Sequence, residues 1–140
     1  MPHVFVLSGT YEAPLGLRVG TILFARSGFP YTGVVGQDSD GDGFFSSSGS
    51  FSDRPASLSR NSFRYPATGT LDTSAAYDLK LAGTNRVEIR FDVFNLLNRK
   101  NISSYNNIIG LDPSAPPTTF GTIIGVRDQR QAQVAVRYRF

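Results

Sequence analysis

The chain of 140 residues has no cysteine, no tryptophan and a single histidine, His3. Without cysteine there are no disulfides, no thiol nucleophile and no cysteine-ligated zinc. One histidine leaves little basis for a Ser-His-Asp triad or a histidine metal site. Charged residues are only 18% of the chain, and the net charge of +3 is scattered rather than clustered, so we expect no nucleic-acid partner. These gaps argue against most enzyme classes and predict no cofactor.

Long apolar runs are also missing. The longest candidates, "VFVL" and "TILFA", are the size of a strand and far below the roughly 20 apolar residues of a membrane-spanning helix. The opening "MPHVFVLSGTYEAPLG" has neither the basic region nor the long apolar region of an export signal. If the protein acts outside the cytoplasm, we therefore expect that Met1 is not its natural beginning.

What the chain does have is a regular alternation of apolar and polar residues. Three segments, "LDTSAAYDLKLA", "RVEIRFDVFNLL" and "QAQVAVRYRF", alternate over about the 9 to 11 residues that a tilted transmembrane strand needs. Two earlier segments, "HVFVLSGTYE" and "GLRVGTILFARSG", alternate less regularly, because Ile22 and Phe24 interrupt the polar face of the second. The pattern predicts five amphipathic strands.

The polar faces of the three regular strands carry charges of both signs. These residues are Asp78, Lys80, Arg86, Glu88, Arg90, Asp92, Arg137 and Arg139. We expect them to face the lumen of a barrel, where they are solvated or paired with one another, and contact with a ligand is the alternative.

The carboxylates of this face form no catalytic pair in the sequence. Glu88 and Asp92 are about 13 Å apart by strand rise, too far for the carboxylates of a glycoside hydrolase. Asp78 and Asp92 could approach each other across strands, but with Lys80 and Arg90 nearby we expect them to be ion-paired. The chain is therefore predicted not to be an enzyme.

The connections between the strands alternate between short and long. "APLG" and "GTN" are tight turns, whereas the segments 29–70 and 98–128 are long, and we count "TFGTIIGV" as part of the second. Outer-membrane barrels sort their connections in this way, with short periplasmic turns and long extracellular loops. The prediction is an all-β fold, an antiparallel up-and-down transmembrane β-barrel segment of about five strands, in contact with the lipid of a Gram-negative type outer membrane.

A different fold class stays open at this point. A soluble or surface β-sandwich would bury the same apolar faces, and its long loops could bind a carbohydrate or a protein.

The acidic stretch "DSDGDG" matches the opening of a calcium loop, with Asp38, Asp40 and Asp42 as candidate ligands and Gly43 at the turn. The twelfth position, which should be an acid, is Gly49, and no helical pattern flanks the stretch. A solvated acidic loop, in which Asp and Gly serve the turns, is the favoured interpretation.

Most of the chain resembles TonB-dependent outer-membrane receptors of the Oar-like kind. The resemblance rests on "NRVEIRFDVFNLLNRKN", in which "FNLLN" spans 94–98, and on the closing "TFGTIIGVRDQRQAQVAVRYRF". The Asp- and Gly-rich "GQDSDGDGFFSSSGSFSDRP" is similar to a loop of such receptors. The resemblance implies a barrel of about 22 strands around a plug, energised by the TonB system through regions that lie outside this chain.

Two further expectations follow from the resemblance. The outer-membrane barrel assembly machinery would recognise the closing strand through Val134, Val136, Tyr138 and Phe140. Because single-chain barrels have at least about eight strands, we expect residues 1–140 to be the C-terminal portion of a longer receptor, arising from a truncated gene, an incomplete sequence or a split reading frame. A barrel completed by oligomerisation is the alternative.

Overall fold

The computed structural model describes residues 3–39, 41, 43 and 53–140, which divide into two compact units. Within these residues a single turn of 3₁₀ helix, Pro14–Gly16, accompanies nine strands. The strands are β1 (Val4–Glu12), β2 (Leu17–Arg26), β3 (Pro30–Tyr31), β4 (Phe63–Arg64), β5 (Thr68–Lys80), β6 (Arg86–Phe94), β7 (Ile102–Tyr105), β8 (Ile123–Val126) and β9 (Gln131–Arg139). In the part of the chain so described, no helix is long and apolar enough to cross a membrane.

The first unit, which we call the sheet unit, consists of 1–27, 68–101 and 128–140. Its five strands form one antiparallel sheet in the order β1-β2-β5-β6-β9, and they are 9 to 13 residues long. All five strands correspond to the segments predicted from alternation, so the prediction of an all-β, antiparallel segment of five strands is confirmed. The two short connections are tight turns, with Leu15 and Gly16 at positive φ in the first and Gly83 in the second.

The strand register brings most of the apolar positions of the five strands onto one face. Residues directly opposite each other in an antiparallel pair project from the same face of the sheet. Ile89 of β6 lies between Tyr77 of β5 and Val136 of β9, while Leu23 of β2 lies between Leu7 and Leu71. The pattern continues along β5, β6 and β9, which have an apolar face and a polar face, whereas Val6 and Phe24 of β1 and β2 lie opposite each other on the polar face.

Two of the regular strands end earlier than their alternation predicts. The sequence pattern included Leu81 and Leu97, but β5 ends at Lys80 and β6 at Phe94. The left-handed backbone of Asn95, with a φ of 50°, turns the chain out of the extended conformation. Leu97 consequently lies in a turn, where 69% of it is exposed.

The second unit, which we call the loop unit, consists of 28–67 and 102–127, and so combines the two long connections. Each connection contributes a short antiparallel pair, β3 with β4 and β7 with β8, and a bridge between Val34 and Ile108 joins the two connections. The segment "TFGTIIGV", counted as loop in the sequence, includes β8, which pairs within this unit. Val34 and Ile109 are the most deeply buried apolar residues of its core.

Candidate functional site

The polar face of the sheet is the first candidate site. The register places the eight predicted charged residues together on this face: Asp78, Lys80, Arg86, Glu88, Arg90, Asp92, Arg137 and Arg139. That this face lines the lumen of a barrel stays a prediction.

An arginine from a neighbouring strand organises the carboxylates near the short turns. Asp78 and Glu88 are directly opposite each other, an arrangement that is destabilising for like charges. Arg18 of β2 offsets this repulsion, because its Nη2 lies 2.7 Å from Glu88 Oε2 and 3.2 Å from Asp78 Oδ2. Arg139 Nη2 adds a longer contact of 3.5 Å to Glu88. The four side chains form one ion-pair network across four strands.

The sequence assigned the partners of these carboxylates only in part. Asp92 is paired with Arg90, as expected, with 2.8 Å between Asp92 Oδ1 and Arg90 Nε. Asp78, however, is paired with Arg18 and not with Lys80, and it lies opposite Glu88 rather than near Asp92, which is opposite Ser74. Arg18 was missed as a site residue because the alternation of its strand is irregular and strand order cannot be read from the sequence.

A cavity of about 530 Å³ opens in the sheet unit, mostly on the polar face. The polar side chains that line it from the polar face are three hydroxyls, two carboxylates and one guanidinium: Ser8, Thr10, Ser74, Asp72, Asp92 and Arg90. Gly20 matters here, since a Cβ at this position would lie 2.9 Å from Ser74 Oγ and would crowd the hydroxyl. The volume falls within the range of small-molecule sites. This surface offers both donors and acceptors to a polar solute.

Asp92 is held rigidly at the wall of that cavity. Only 4% of the residue is exposed, and its second carboxylate oxygen accepts a hydrogen bond of 3.1 Å from Gln133 Nε2. A buried charge with two polar partners, Arg90 and Gln133, stays where the strands put it. Asp92 therefore presents a fixed negative charge rather than a flexible one.

The apolar face differs from an ordinary core. Among the described residues of the sheet unit, no second sheet covers it, and Phe91, Val134 and Val136 are each exposed by 46% to 68%. A contiguous apolar surface of this kind indicates contact with a membrane or another protein. Val134, Val136, Tyr138 and Phe140, the predicted assembly signal, lie at its β9 edge, and the rings of Tyr138 and Phe140 are 6.2 Å apart.

The turn after β6, which contains "FNLLN", is held by buried asparagines. Asn95 Oδ1 accepts a hydrogen bond from the backbone N–H of Arg99, and its Nδ2 donates to the carbonyl oxygen of Arg99, both at 3.0 Å. Asp72 Oδ1 accepts the N–H of Asn95 at 2.8 Å. Asn101 Oδ1 accepts the N–H of Gly69, and its Nδ2 donates to the Gly69 carbonyl oxygen, both at 2.9 Å. These amides replace the sheet hydrogen bonds that the chain loses where it leaves β6.

The calcium candidates can be described only in part. Asp38 accepts hydrogen bonds from the backbone N–H groups of Gly41 and Gly43 at 2.7 and 2.9 Å, as expected of an acidic turn residue. Asp40 and Asp42 lie outside the described residues. Within 3–39, 41, 43 and 53–140, no three His, Cys, Asp or Glu side chains are grouped so that they could hold a metal ion. Calcium binding stays a prediction.

The comparison with protein families agrees with this geometry. The family model described as "Outer membrane beta barrel domain" matches residues 44–133, well over half of the chain. The chain belongs to this family, and it is an outer-membrane β-barrel protein. Searches of the curated proteins and of the solved structures gave no match. Of the two function classes considered from the sequence, the β-sandwich is therefore set aside.

Proposed function

We propose that the chain forms the closing wall of a TonB-dependent receptor of the Oar-like kind, which takes up a ligand across the outer membrane. The observation that supports the proposal best is the division of the sheet unit into an uncovered apolar face and a charged face. A receptor barrel needs lipid outside and a wet, polar lumen inside. The finer assignment to TonB-dependent receptors rests on the resemblance of "FNLLN" and of the closing strand.

The sheet would be one wall of a larger barrel. Within the described residues, β1 pairs only with β2 and β9 only with β6, so both outer edges of the sheet are open. Open edges in lipid leave backbone groups unsatisfied, at a cost of several kcal/mol each. Further strands, from the same longer chain or from other copies, would pair with β1 and β9 and close the barrel.

The polar face would serve the passage of the ligand. Asp72, Asp92 and Arg90 give the cavity charges of both signs, and its hydroxyls add neutral hydrogen-bonding groups. Such a surface favours polar solutes as a class and is not selective for one of them. The proposal assigns no catalytic role to these side chains.

Binding to TonB tests the transport proposal directly. The experiment uses the product of the complete gene that encodes this chain, purified in detergent, together with the isolated periplasmic domain of TonB from the same organism. We expect saturable binding that a peptide from the TonB-contacting segment of the receptor competes away. Absence of binding by a correctly folded barrel would overturn the TonB-dependent assignment and leave the outer-membrane barrel intact.

We also propose that β9 is the strand recognised by the barrel assembly machinery. Deletion of Phe140 from the full-length protein should lower the fraction that reaches the folded form in the outer membrane, as measured by heat-modifiable migration. Substitution of Gln131, at the opposite end of the same strand and on the other face, by Ala is the matched control. Unchanged assembly after deletion of Phe140 would refute this role.

A further inference from the structure

The loop unit contains a second cavity, of about 320 Å³, at the lower end of the range for small-molecule sites. Tyr31 and Tyr65 form its aromatic wall, and Arg60, Asn61 and Asn107 are among its polar lining residues. This cavity belongs to the loop unit by itself and is separate in sequence from the cavity of the sheet unit.

The aromatic wall is supported by neighbouring rings. The ring centroids of Tyr31 and Tyr65 are 4.7 Å apart, and Tyr65 stacks on Tyr105 at 5.4 Å with 5° between the ring planes. Phe63 packs on Tyr31 at 5.4 Å, and Phe120 packs against the edge of Phe63. Since each ring is held by another, little conformational freedom remains to be lost when a ligand binds.

Hydrogen bonds to Thr32 hold part of the polar lining of the cavity. Thr32, which is only 7% exposed, accepts the N–H of Asn61 on its Oγ1 at 2.9 Å. The carbonyl oxygen of Thr32 accepts a hydrogen bond of 3.0 Å from Asn107 Nδ2. The amide of Asn107 is thereby oriented, and no group among the described residues donates a hydrogen bond to its Oδ1. One buried threonine thus holds the backbone of Asn61 and the side-chain amide of Asn107.

Arg60 gives the cavity its charge. The residue is exposed, and the described part of the chain provides no hydrogen bond or ion pair for its guanidinium. None of the described residues that line the cavity is acidic. A planar guanidinium with this freedom matches a carboxylate, which it binds through two parallel hydrogen bonds.

From this combination we propose that the loop unit binds a sugar ring that carries a carboxylate, such as a hexuronate. The aromatic wall would pack against the C–H face of the ring, Asn61 and Asn107 would hydrogen-bond its hydroxyls, and Arg60 would bind the carboxylate. This inference goes beyond the transport proposal, because binding at the loop unit does not require the TonB system.

The test measures glucuronate and glucose binding to the full-length protein in detergent by ligand-observed NMR titration. We expect glucuronate to bind about tenfold more tightly than glucose, because only glucuronate makes the charge-assisted contact with Arg60. Arg60→Gln should abolish that preference and leave glucose binding unchanged. Tyr65→Leu should weaken both sugars.

A matched control is Arg54→Gln, which removes an arginine of the loop unit that does not line the cavity. It should keep the affinity for glucuronate. Equal binding of the two sugars by the unaltered protein, absence of saturable glucuronate binding, or an equal loss of affinity in Arg54→Gln and Arg60→Gln would overturn the proposal.

Discussion

The two units of this protein differ in the exposure of their apolar side chains. In the sheet unit, apolar side chains such as Ile89 and Val136 lie on an outer face and are 41% and 68% exposed. In the loop unit, Val34 and Ile109 are 0% and 3% exposed and form the core. We attribute the difference to the solvent: in a chain of the outer membrane beta barrel family, lipid would take the place of water around the apolar face of the sheet.

The forces that stabilise the two units differ accordingly. Lipid is as apolar as the side chains that it touches, so burial against lipid adds little and the sheet depends on its backbone hydrogen bonds. The loop unit depends on the removal of apolar surface from water. A new charge should therefore destabilise the sheet unit most on its apolar face and the loop unit most in its core. Four predictions test the contrast between the units, in order of decreasing expected effect.

The largest effect is expected for Val34→Asp in the loop unit. An unpaired carboxylate in a fully buried position costs about 4 kcal/mol or more, enough to unfold a small unit. Limited proteolysis of the full-length protein should then cut within 28–67 or 102–127, while heat-modifiable migration of the barrel persists. Leu111→Asp, at a position 67% exposed in the same unit, is the control and should resist as the unaltered protein does. An uncut Val34→Asp protein would contradict the assignment of this core.

The next effect concerns the apolar face of the sheet. Ile89→Lys places a charge in the middle of that face and should destabilise the folded protein in lipid vesicles by about 2 to 4 kcal/mol. Gln133→Lys introduces the same charge on the polar face, opposite Asp92, and should cost less than about 1 kcal/mol. Urea unfolding in vesicles compares the two variants. Equal destabilisation by Ile89→Lys and Gln133→Lys would mean that the two faces of the sheet contact the same solvent.

A smaller effect is expected at the turn after β6. Asn101 is 1% exposed and satisfies both polar groups of the Gly69 backbone, so Asn101→Ala should cost about 1 to 3 kcal/mol. Thr84→Ala, which removes a polar side chain from an exposed position in the turn between β5 and β6, is the control and should change the unfolding midpoint little. A midpoint for Asn101→Ala equal to that of the control would show that the buried amide does not stabilise the sheet.

The smallest effect is a pH dependence confined to the loop unit. Burial raises the pKa of Tyr31 above its ordinary value of 10.0, and the neighbouring Tyr65 and Tyr105 raise that pKa further. The folded state therefore favours the neutral phenol. The contribution of Tyr31 to the stability of the folded state is complete at a pH below the pKa of this residue in the unfolded chain. It declines as the pH rises through the pKa of Tyr31 in the folded state.

Ultraviolet absorbance of tyrosinate during an alkaline titration measures this effect. Tyr31→Phe should remove the phenol that ionises at high pH and make the stability of the loop unit less sensitive to alkaline pH. An unaltered titration curve in Tyr31→Phe would contradict the raised pKa.

Alternation predicted the sheet unit well because its cause is local. A strand sends alternate side chains to opposite faces, so five segments were recognised without knowledge of their neighbours. The end of β6 was placed too late, because the left-handed conformation of Asn95 depends on contacts with Asp72 and Arg99 that the apolar pattern does not show.

The ion-pair network of the polar face and the shared core of the loop unit required information that the sequence pattern does not carry. Arg18 meets Glu88 only because β2 and β6 both pair with β5, and these two residues are separated by 70 positions. The two long connections were predicted as separate loops, yet they share a core, since Val34 of one pairs with Ile108 of the other. Contacts of this kind are set by topology rather than by local preference.

The bridge between Val34 and Ile108 has a consequence for the evolution and engineering of this protein. Surface loops of a barrel that do not contact each other can be exchanged one at a time. Here the backbone N–H of Val34 donates to Asn107 and that of Ile109 donates to Val34, so each connection supplies the other with hydrogen bonds and with core. A new binding specificity of the loop unit would be inherited, or transferred to another barrel, only when both connections are exchanged together.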